Sequence, residues 1–114
     1  MPVTELLNKI NFHDSCVNTL IYKNGIIILN IDLCMWKQTG YKAGEPELKE
    51  IILKFFNVTN YKWDSLKNET DIDYDTIINI TYKDNILKIV MQDQEISILE
   101  FKCNTVLVYD YPRL

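Results

Sequence analysis

The stretch NFHDSCVNTLIYKNGIIILNIDL, from Asn11 to Leu33, decides the fold of this sequence. At its centre lies Asn24-Gly25, and both residue types tolerate the positive φ angles that a type I′ two-residue turn requires. The runs on either side are rich in β-branched and other apolar residues, which favour strands. The sequence therefore predicts a β-hairpin in which Lys23 lies opposite Ile26.

This turn also assigns the faces of the hairpin, because side chains alternate between the two faces along each strand. One face is predominantly apolar and is predicted to be the core face, with Asn18 as its one anomaly. The opposite face carries Ile21, Ile26 and Ile28 among polar residues. The predicted core face consists of Cys16, Asn18, Leu20, Tyr22, Ile27, Leu29, Ile31 and Leu33.

A meander of three hairpins is predicted in the C-terminal third, with tight polar turns at 84–85, 93–94 and 103–104. Glu100 then falls on the core face, so we expect a β-bulge or a position at the rim of the sheet. The reverse face of the last hairpin, Leu99, Phe101, Val106 and Val108, is also apolar. We expect the N-terminal helix, the face of Ile21, Ile26 and Ile28, or a second subunit to cover it. The predicted core face itself contains Ile78, Ile80, Tyr82, Leu87, Ile89, Met91, Ile96, Ile98, Leu107, Tyr109 and Tyr111.

Two other segments complete the predicted fold. Leu6, Leu7 and Ile10 are spaced as on a helix, so one or two helical turns should open the chain. Segment 47–56 fits a helix with Pro46 in its first turn and also fits a strand; its β-branched and aromatic residues favour the strand. We predict a single mainly β domain over 1–114, an antiparallel sandwich or open barrel of about seven strands built from hairpins, with a short N-terminal helix.

Composition and charge narrow the class of function. The 114 residues include 47% apolar and 25% charged side chains, with a net charge of −4. Clustered Lys and Arg, which nucleic-acid binding needs, are not seen, and an acidic surface favours a basic protein partner. No membrane-length apolar run or signal-peptide pattern stands out, and the three cysteines lack CxxC spacing. We predict a cytoplasmic protein, and the frequent Ile, Asn, Lys and Tyr are typical of an AT-rich bacterial genome.

The residues of His13-Asp14-Ser15 are those of hydrolase chemistry, but a catalytic triad converges from separated parts of a fold. Neighbours on an extended chain point to alternate sides, so Asp14 is poorly placed to orient His13 toward Ser15. A local Asx or Ser turn at the start of the first strand accounts for Asp14 and Ser15. We predict no enzyme and no catalytic residue, and keep His13 as a ligand or partner contact.

The acidic run Asp71, Asp73 and Asp75 has the spacing that opens an EF-hand calcium loop. Such a loop also needs a glycine at its sixth position and a glutamate at its twelfth, where this sequence has Thr76 and Tyr82. We therefore expect an acidic connection that can contact a basic partner. One histidine and three scattered cysteines offer no ligand spacing, so we predict no metal and no cofactor.

Aromatic residues are the remaining candidates for a binding site. Trp36, Tyr41 and Trp63 fall at strand ends or in loops, where aromatics form sugar-stacking platforms or interface hot spots, or simply close the core. The run 36–47 is the longest connection that contains glycine, which makes it the most plausible binding loop. A small-ligand or carbohydrate-binding β domain that uses these three residues is therefore the alternative function.

Phe12-His13-Asp14-Ser15, followed by a strand, a tight turn and a second apolar strand, resembles the opening of short uncharacterised β-rich bacterial proteins. Some of these are similar to the immunity proteins that accompany polymorphic toxins. The resemblance covers 12–33, with an echo in 53–58. It implies a small protein that acts by binding another protein, and it carries over no catalytic residue. We predict a non-enzymatic protein-binding module, immunity- or antitoxin-like, with a homodimer as a further expectation.

Overall fold

The structure is a computed structural model that describes residues 1–110, so the predicted position of Tyr111 lies outside the described residues. Within that range one α-helix, α1 (Val3–Lys9), precedes eight strands, and short 3-10 turns occur at Met35–Lys37 and Glu69–Asp71. No helix among these residues is long and apolar enough to cross a membrane. The strands are β1 (Cys16–Lys23), β2 (Ile26–Cys34), β3 (Leu48–Phe56), β4 (Thr59–Asp64), β5 (Asp75–Lys83), β6 (Ile86–Gln92), β7 (Ile96–Lys102) and β8 (Thr105–Asp110).

All eight strands of the described range form one antiparallel sheet in the order β4-β7-β6-β5-β1-β2-β3-β8. The sheet does not close into a barrel, and β4 and β8 are its edges. The predicted mainly β class and the short N-terminal helix are confirmed. Segment 47–56 forms strand β3, as its β-branched residues favoured. The structure has one strand more than the seven that the sequence predicted, and the additional strand is β4.

The sheet folds over so that its two ends enclose one core. Phe55 on β3 and Phe101 on β7 have four strands between them, yet their rings meet edge to face with centroids 5.0 Å apart. Tyr22 on β1 stacks on Tyr61 on β4 at 4.0 Å. We call β1, β2, β3 and β8 the β1 half, and β5, β6, β7 and β4 the β5 half. Apolar side chains from both halves and from α1 fill the space between them.

The two halves join where β1 meets β5, a junction that we call the seam. The strands pair there only at Cys16–Thr76 and Val17–Asp75. Beyond the seam they diverge. The turn after β1 reaches the β3–β4 connection, where the backbone N–H of residue 58 donates to the carbonyl of residue 25 over 2.8 Å. The turn after β5 instead reaches the β7–β8 connection, through a 2.9 Å bond from the N–H of residue 103 to the carbonyl of residue 85.

The first hairpin has the predicted turn and, from Lys23 to Thr19, the predicted register. A β-bulge at Asn18 then shifts the register, so that Val17 lies opposite Ile31 and is fully buried. Asn18, the one polar residue on the predicted core face, is thus the bulged residue and has no place in the core register. Its side-chain amide donates a hydrogen bond to Asp32 Oδ1 at 3.0 Å.

The second hairpin repeats this pattern on the other side of the seam. Its turn at 84–85 is as predicted, with positive φ at both residues. A bulge at Ile78 then places Ile77, rather than Ile78, opposite Met91 in the core. Both bulges fall next to the short pairing of β1 with β5, because each strand changes direction there to follow its own half.

The turn predicted at 93–94 is one residue longer in the structure. The turn has three residues, 93–95, and the N–H of Glu95 donates to Asp93 Oδ1 at 3.0 Å. A one-residue shift exchanges the two faces of the following strand. Leu99 and Phe101 therefore point into the core, whereas Glu100 lies outside, opposite lysines of the neighbouring strands. The residues that this shift moves out of the predicted core face are Ile96 and Ile98.

The third predicted hairpin was also wrong, because β8 pairs with β3 at the far edge of the sheet. At Cys103-Asn104 the chain crosses from the β5 half to the β1 half, and Cys103 Sγ lies 3.2 Å from the carbonyl oxygen of Phe56. Val106 is consequently buried in the core and Val108 is half-buried, while Leu107 points outward. The side chains of Leu99, Phe101, Val106 and Val108, which were predicted to need a cover, therefore face the core between the two halves of the sheet.

Candidate interaction face

The side of the β1 half that faces away from the core carries many apolar side chains. Exposed sides of antiparallel sheets are usually polar, so this side differs from the ordinary pattern. Strand pairing aligns its side chains in two rows that cross all four strands. We call these two rows the outer face; they are Ile21, Ile28, Lys54 and Leu107, and Thr19, Asn30, Ile52 and Tyr109.

Much of the apolar surface of the outer face is open to solvent. Ile21 is 54% exposed, Leu107 is 50% exposed and Tyr109 is 42% exposed. Ile28 and Ile52 lie half-buried between them. Large apolar residues that are exposed side by side on a regular surface mark interaction sites, whereas single exposed ones do not. The outer face is therefore the candidate interaction surface.

One end of the outer face is acidic. In the next row Asp32 on β2 lies directly opposite Glu50 on β3. Like charges in directly opposed positions repel each other and destabilise a sheet. The amide of Asn18 relieves part of this through its bond to Asp32, and a positive group placed over both carboxylates would relieve more.

His13, Asp14 and Ser15 lie in a turn before β1. Asp14 has a φ of 66° in that turn, which the N–H of Ser15 closes onto the carbonyl of Phe12 at 3.0 Å. His13 Nδ1 lies 3.3 Å from Asp14 Oδ1 at the surface. Ser15 is fully buried and its Oγ accepts a 2.8 Å hydrogen bond from the N–H of Cys34. Its hydroxyl therefore ties the start of β1 to the end of β2.

Replacing His13 by Ala should leave the fold and partner binding nearly unchanged. Its imidazole is half exposed and its one side-chain contact is with the exposed carboxylate of Asp14, so we expect a loss of stability below about 1 kcal/mol. Chemical denaturation checks the stability, and calorimetric titration with the partner checks the binding. Loss of binding in a folded His13→Ala protein would place this residue in the interface.

A cleft opens beside the seam, between the C-terminal turn of α1 and the residues that follow β2. It has a volume of about 400 Å³. A smaller hollow of about 210 Å³ adjoins it and shares Asn11 and Ile80 with it. His13 lines the smaller hollow and is thus one predicted contact residue that the structure places beside a cavity. The cleft is lined by Leu7, Asn8, Lys9, Ile10, Asn11, Phe12, Lys37, Gln38, Thr39 and Ile80.

The three predicted aromatic contacts lie in different settings. Trp36 is 49% exposed in the 3-10 turn after β2. Tyr41 donates its hydroxyl to the carbonyl of Glu45 within its own loop, at 3.0 Å. Trp63 lies on edge strand β4, packs against the core and donates its indole N–H to the carbonyl of residue 67 at 2.8 Å. None of the three lines the cleft or the adjoining hollow, so their joint role as a ligand platform remains a prediction.

The acidic run is divided between surface and interior. Asp71 and Asp73 are exposed, whereas Asp75 is fully buried and so is not presented to a partner. Lys67 Nζ contacts the two carboxylate oxygens of Asp75 at 2.9 and 2.7 Å, and Asp93 Oδ2 at 2.8 Å. Among residues 1–110 no group of three or more His, Cys, Asp or Glu side chains is placed to hold a metal ion.

The contacts of Lys67 shift its own pKa and that of Asp93. Burial would lower the pKa of Lys67, but its hydrogen bonds to Asp75 and Asp93 outweigh burial, and the pKa is raised. The hydrogen bond from Lys67 lowers the pKa of Asp93. Asp75 was predicted from its spacing in the acidic run, whereas its partner Lys67 was not, since nothing in the sequence pairs the two. The group therefore stabilises the fold where the loop after β4 meets β5.

Comparisons with known proteins assign no activity to this chain. No protein-family model matches the sequence, and no curated protein matches it significantly. The structure is similar to the crystal structure of an uncharacterized protein from Neisseria gonorrhoeae, with a TM-score of 0.49 and 16% sequence identity. The similarity covers 89% of this chain and 95% of that chain.

Proposed function

We propose that this chain is a non-enzymatic protein-binding module of bacterial origin that works in the cytoplasm as an immunity- or antitoxin-like partner. The observation that carries the proposal is the outer face, where Ile21, Leu107 and Tyr109 are each more than two-fifths exposed on a regular sheet. Burying such a surface against a second protein removes apolar area from water, which is the main driving force of association. The three cysteines are free thiols, as is usual in a reducing compartment.

The acidic end of the outer face suggests the chemistry of the partner. A lysine or arginine that reaches Asp32 and Glu50 would replace a repulsion between two carboxylates with two attractions. The net charge of −4 would also attract a basic protein at a distance, an effect that salt weakens. The proposed partner is therefore a basic protein with an apolar contact surface, and the exposed Asp71 and Asp73 remain predicted secondary contacts.

The test compares matched surface variants in their binding to one partner. Leu107→Ser and Ile21→Ser alter the outer face, whereas Ile96→Ser alters an isoleucine that is 46% exposed on the other half of the sheet. A protein captured by the wild type is purified and titrated against all three variants by calorimetry. We expect each outer-face variant to bind roughly 30-fold more weakly, as for an interface hot spot of about 2 kcal/mol, and Ile96→Ser to bind like the wild type.

Two outcomes would contradict the proposal. One is a partner whose affinity falls with Ile96→Ser and stays unchanged with the outer-face variants. The other is a dimer of this chain that buries the outer face, since the face would then serve self-association. Light scattering measures that second outcome directly, because a dimer through the outer face would become a monomer in Leu107→Ser.

A further inference from the structure

The cleft beside the seam is an opening in the wall of the core. Ile80 pairs directly with Ile89 and points to the same, inner side of the sheet. Ile89 is fully buried, yet Ile80 is only half-buried, because β1 has diverged from β5 at this level. Leu7 on α1 and Ile10, the residue after the helix, are likewise half-buried against the core. The floor of the cleft is thus apolar surface that the protein itself leaves partly uncovered.

The charged residues that line the cleft are lysines, and each of them pairs with a carboxylate just outside the lining. The ten lining residues include two lysines, Lys9 and Lys37, and no carboxylate. Lys9 is engaged by Glu5 at 2.8 Å, whereas the ammonium of Lys37 lies 3.4 Å from Asp14, which is longer than an ideal charge-assisted hydrogen bond. Of the two lysines, Lys37 is therefore the one that is more weakly paired and better able to bind an added anion.

The rim is also held in place by hydrogen bonds. The Gln38 side chain accepts from the N–H of Asn11 at 3.0 Å and donates to the carbonyl oxygens of Asn11 and Cys34, at 2.6 and 2.8 Å. The two bonds to Asn11 tie the segment after α1 to the segment after β2, which are the two walls of the cleft, and the bond to Cys34 anchors Gln38 to the end of β2. A site whose walls are fixed before binding loses less entropy when a ligand arrives.

We infer that this cleft binds a small amphipathic anion, namely a monocarboxylate with an unbranched apolar tail. The carboxylate would meet Lys37 at the rim, and the tail would lie on Ile80, Leu7 and Ile10. The volume of about 400 Å³ falls within the range of roughly 300–1,000 Å³ that is usual for small-molecule sites. This site is separate from the outer face and does not depend on the proposed protein partner.

Octanoate is the probe, and octanamide is its neutral counterpart of equal length. Titration of the isotope-labelled protein, followed by amide resonances, should give saturable shifts at Asn11, Gln38 and Ile80. Octanamide should bind about tenfold more weakly, because it lacks the charge that pairs with lysine. Equal affinity for the two compounds, or shifts centred elsewhere in the sheet, would overturn the inference.

Three variants locate the site. Ile80→Trp fills the cleft and should abolish the octanoate shifts, and Lys37→Gln should weaken binding about tenfold by removing the charge. Lys62→Gln changes a lysine beside a separate hollow on the β5 half and should bind like the wild type. If Ile80→Trp does not fold, the surface variant Lys37→Gln still decides. Unchanged octanoate affinity in folded Lys37→Gln would contradict the assignment.

Discussion

Phe101→Glu should largely unfold the protein at neutral pH, whereas Leu107→Glu, six residues later in the chain, should leave its stability nearly intact. Phe101 is fully buried, and its ring contacts that of Phe55 across the core. Removing a buried phenylalanine side chain costs about 3–5 kcal/mol, and burying an unpaired carboxylate costs several more. Domains of this size are stable by only about 5–15 kcal/mol, so most of the stability should be lost.

Leu107 is the matched control because it lies on the next strand and points out of the sheet. A charge on its half-exposed position meets water, so the change in stability should stay within about 0.5 kcal/mol. Urea denaturation followed by circular dichroism measures both variants. A stable Phe101→Glu protein together with an unstable Leu107→Glu protein would show that the two faces are exchanged, which is the arrangement that a two-residue turn at 93–94 implies.

The local parts of the fold could be predicted because their chemistry is local. Asn24-Gly25 and Asp84-Asn85 both adopt the positive φ angles that their residue types tolerate, and each fixes the first few pairs of its hairpin. The amphipathic spacing of the first residues likewise predicted α1. Each of these features depends on residues close together in sequence.

Two of the register errors were marked in the sequence by polar residues in predicted core positions, whereas the bulge at Ile78 was not. Asn18 stood on the core face of the first hairpin, and the structure has a bulge there. Glu100 stood on the core face of the third strand of the meander, and the structure has a turn one residue longer than predicted. A buried polar group without a partner is costly, so each misfit pointed to a shifted register.

The pairings of the two edge strands could not be predicted. β4 carries a bulge and a positive φ at Asn60, so it lacks the clean alternation that identifies a strand. β8 follows β7 after a short connection, which favours a hairpin, yet it crosses to pair with β3. The pairing of β8 with β3 is decided by packing between the two halves of the sheet. The same packing places Leu107 and Tyr109 of β8 on the outer face.

The predicted site residues also divide into features that local sequence determines and features that only the whole fold determines. Asp75 belongs to a regular acidic run, but the fold buries it beside Lys67, eight residues earlier. Trp63 and Tyr41 use their polar groups in local hydrogen bonds. The exposed isoleucines of the first hairpin were visible in the sequence, but they were expected to cover other strands. Only the fold shows that they face outward.

Lys67→Met should cost about 3–5 kcal/mol of stability at neutral pH, since it leaves the carboxylate of Asp75 buried without its cation. The remaining polar contact to that carboxylate is the N–H of Asp73, at 3.2 Å. The double variant Lys67→Met/Asp75→Leu removes both charges and should recover most of the loss. Lys62→Met, on the exposed side of β4, is the control and should change stability little.

The dependence of this loss on pH follows from the shifted pKa values. The pKa of Lys67 is raised in the folded protein, so its contribution is complete below the ordinary lysine pKa and disappears as pH rises through the folded value. The pKa of Asp93 is lowered, so its contribution is present above the ordinary aspartate pKa and disappears as pH falls through the folded value. The wild type and Lys67→Met should therefore differ most near neutral pH, and the difference should narrow in both acid and alkali. Urea denaturation across that range measures the difference, and a constant difference would mean that Lys67 contributes through packing rather than through its charge.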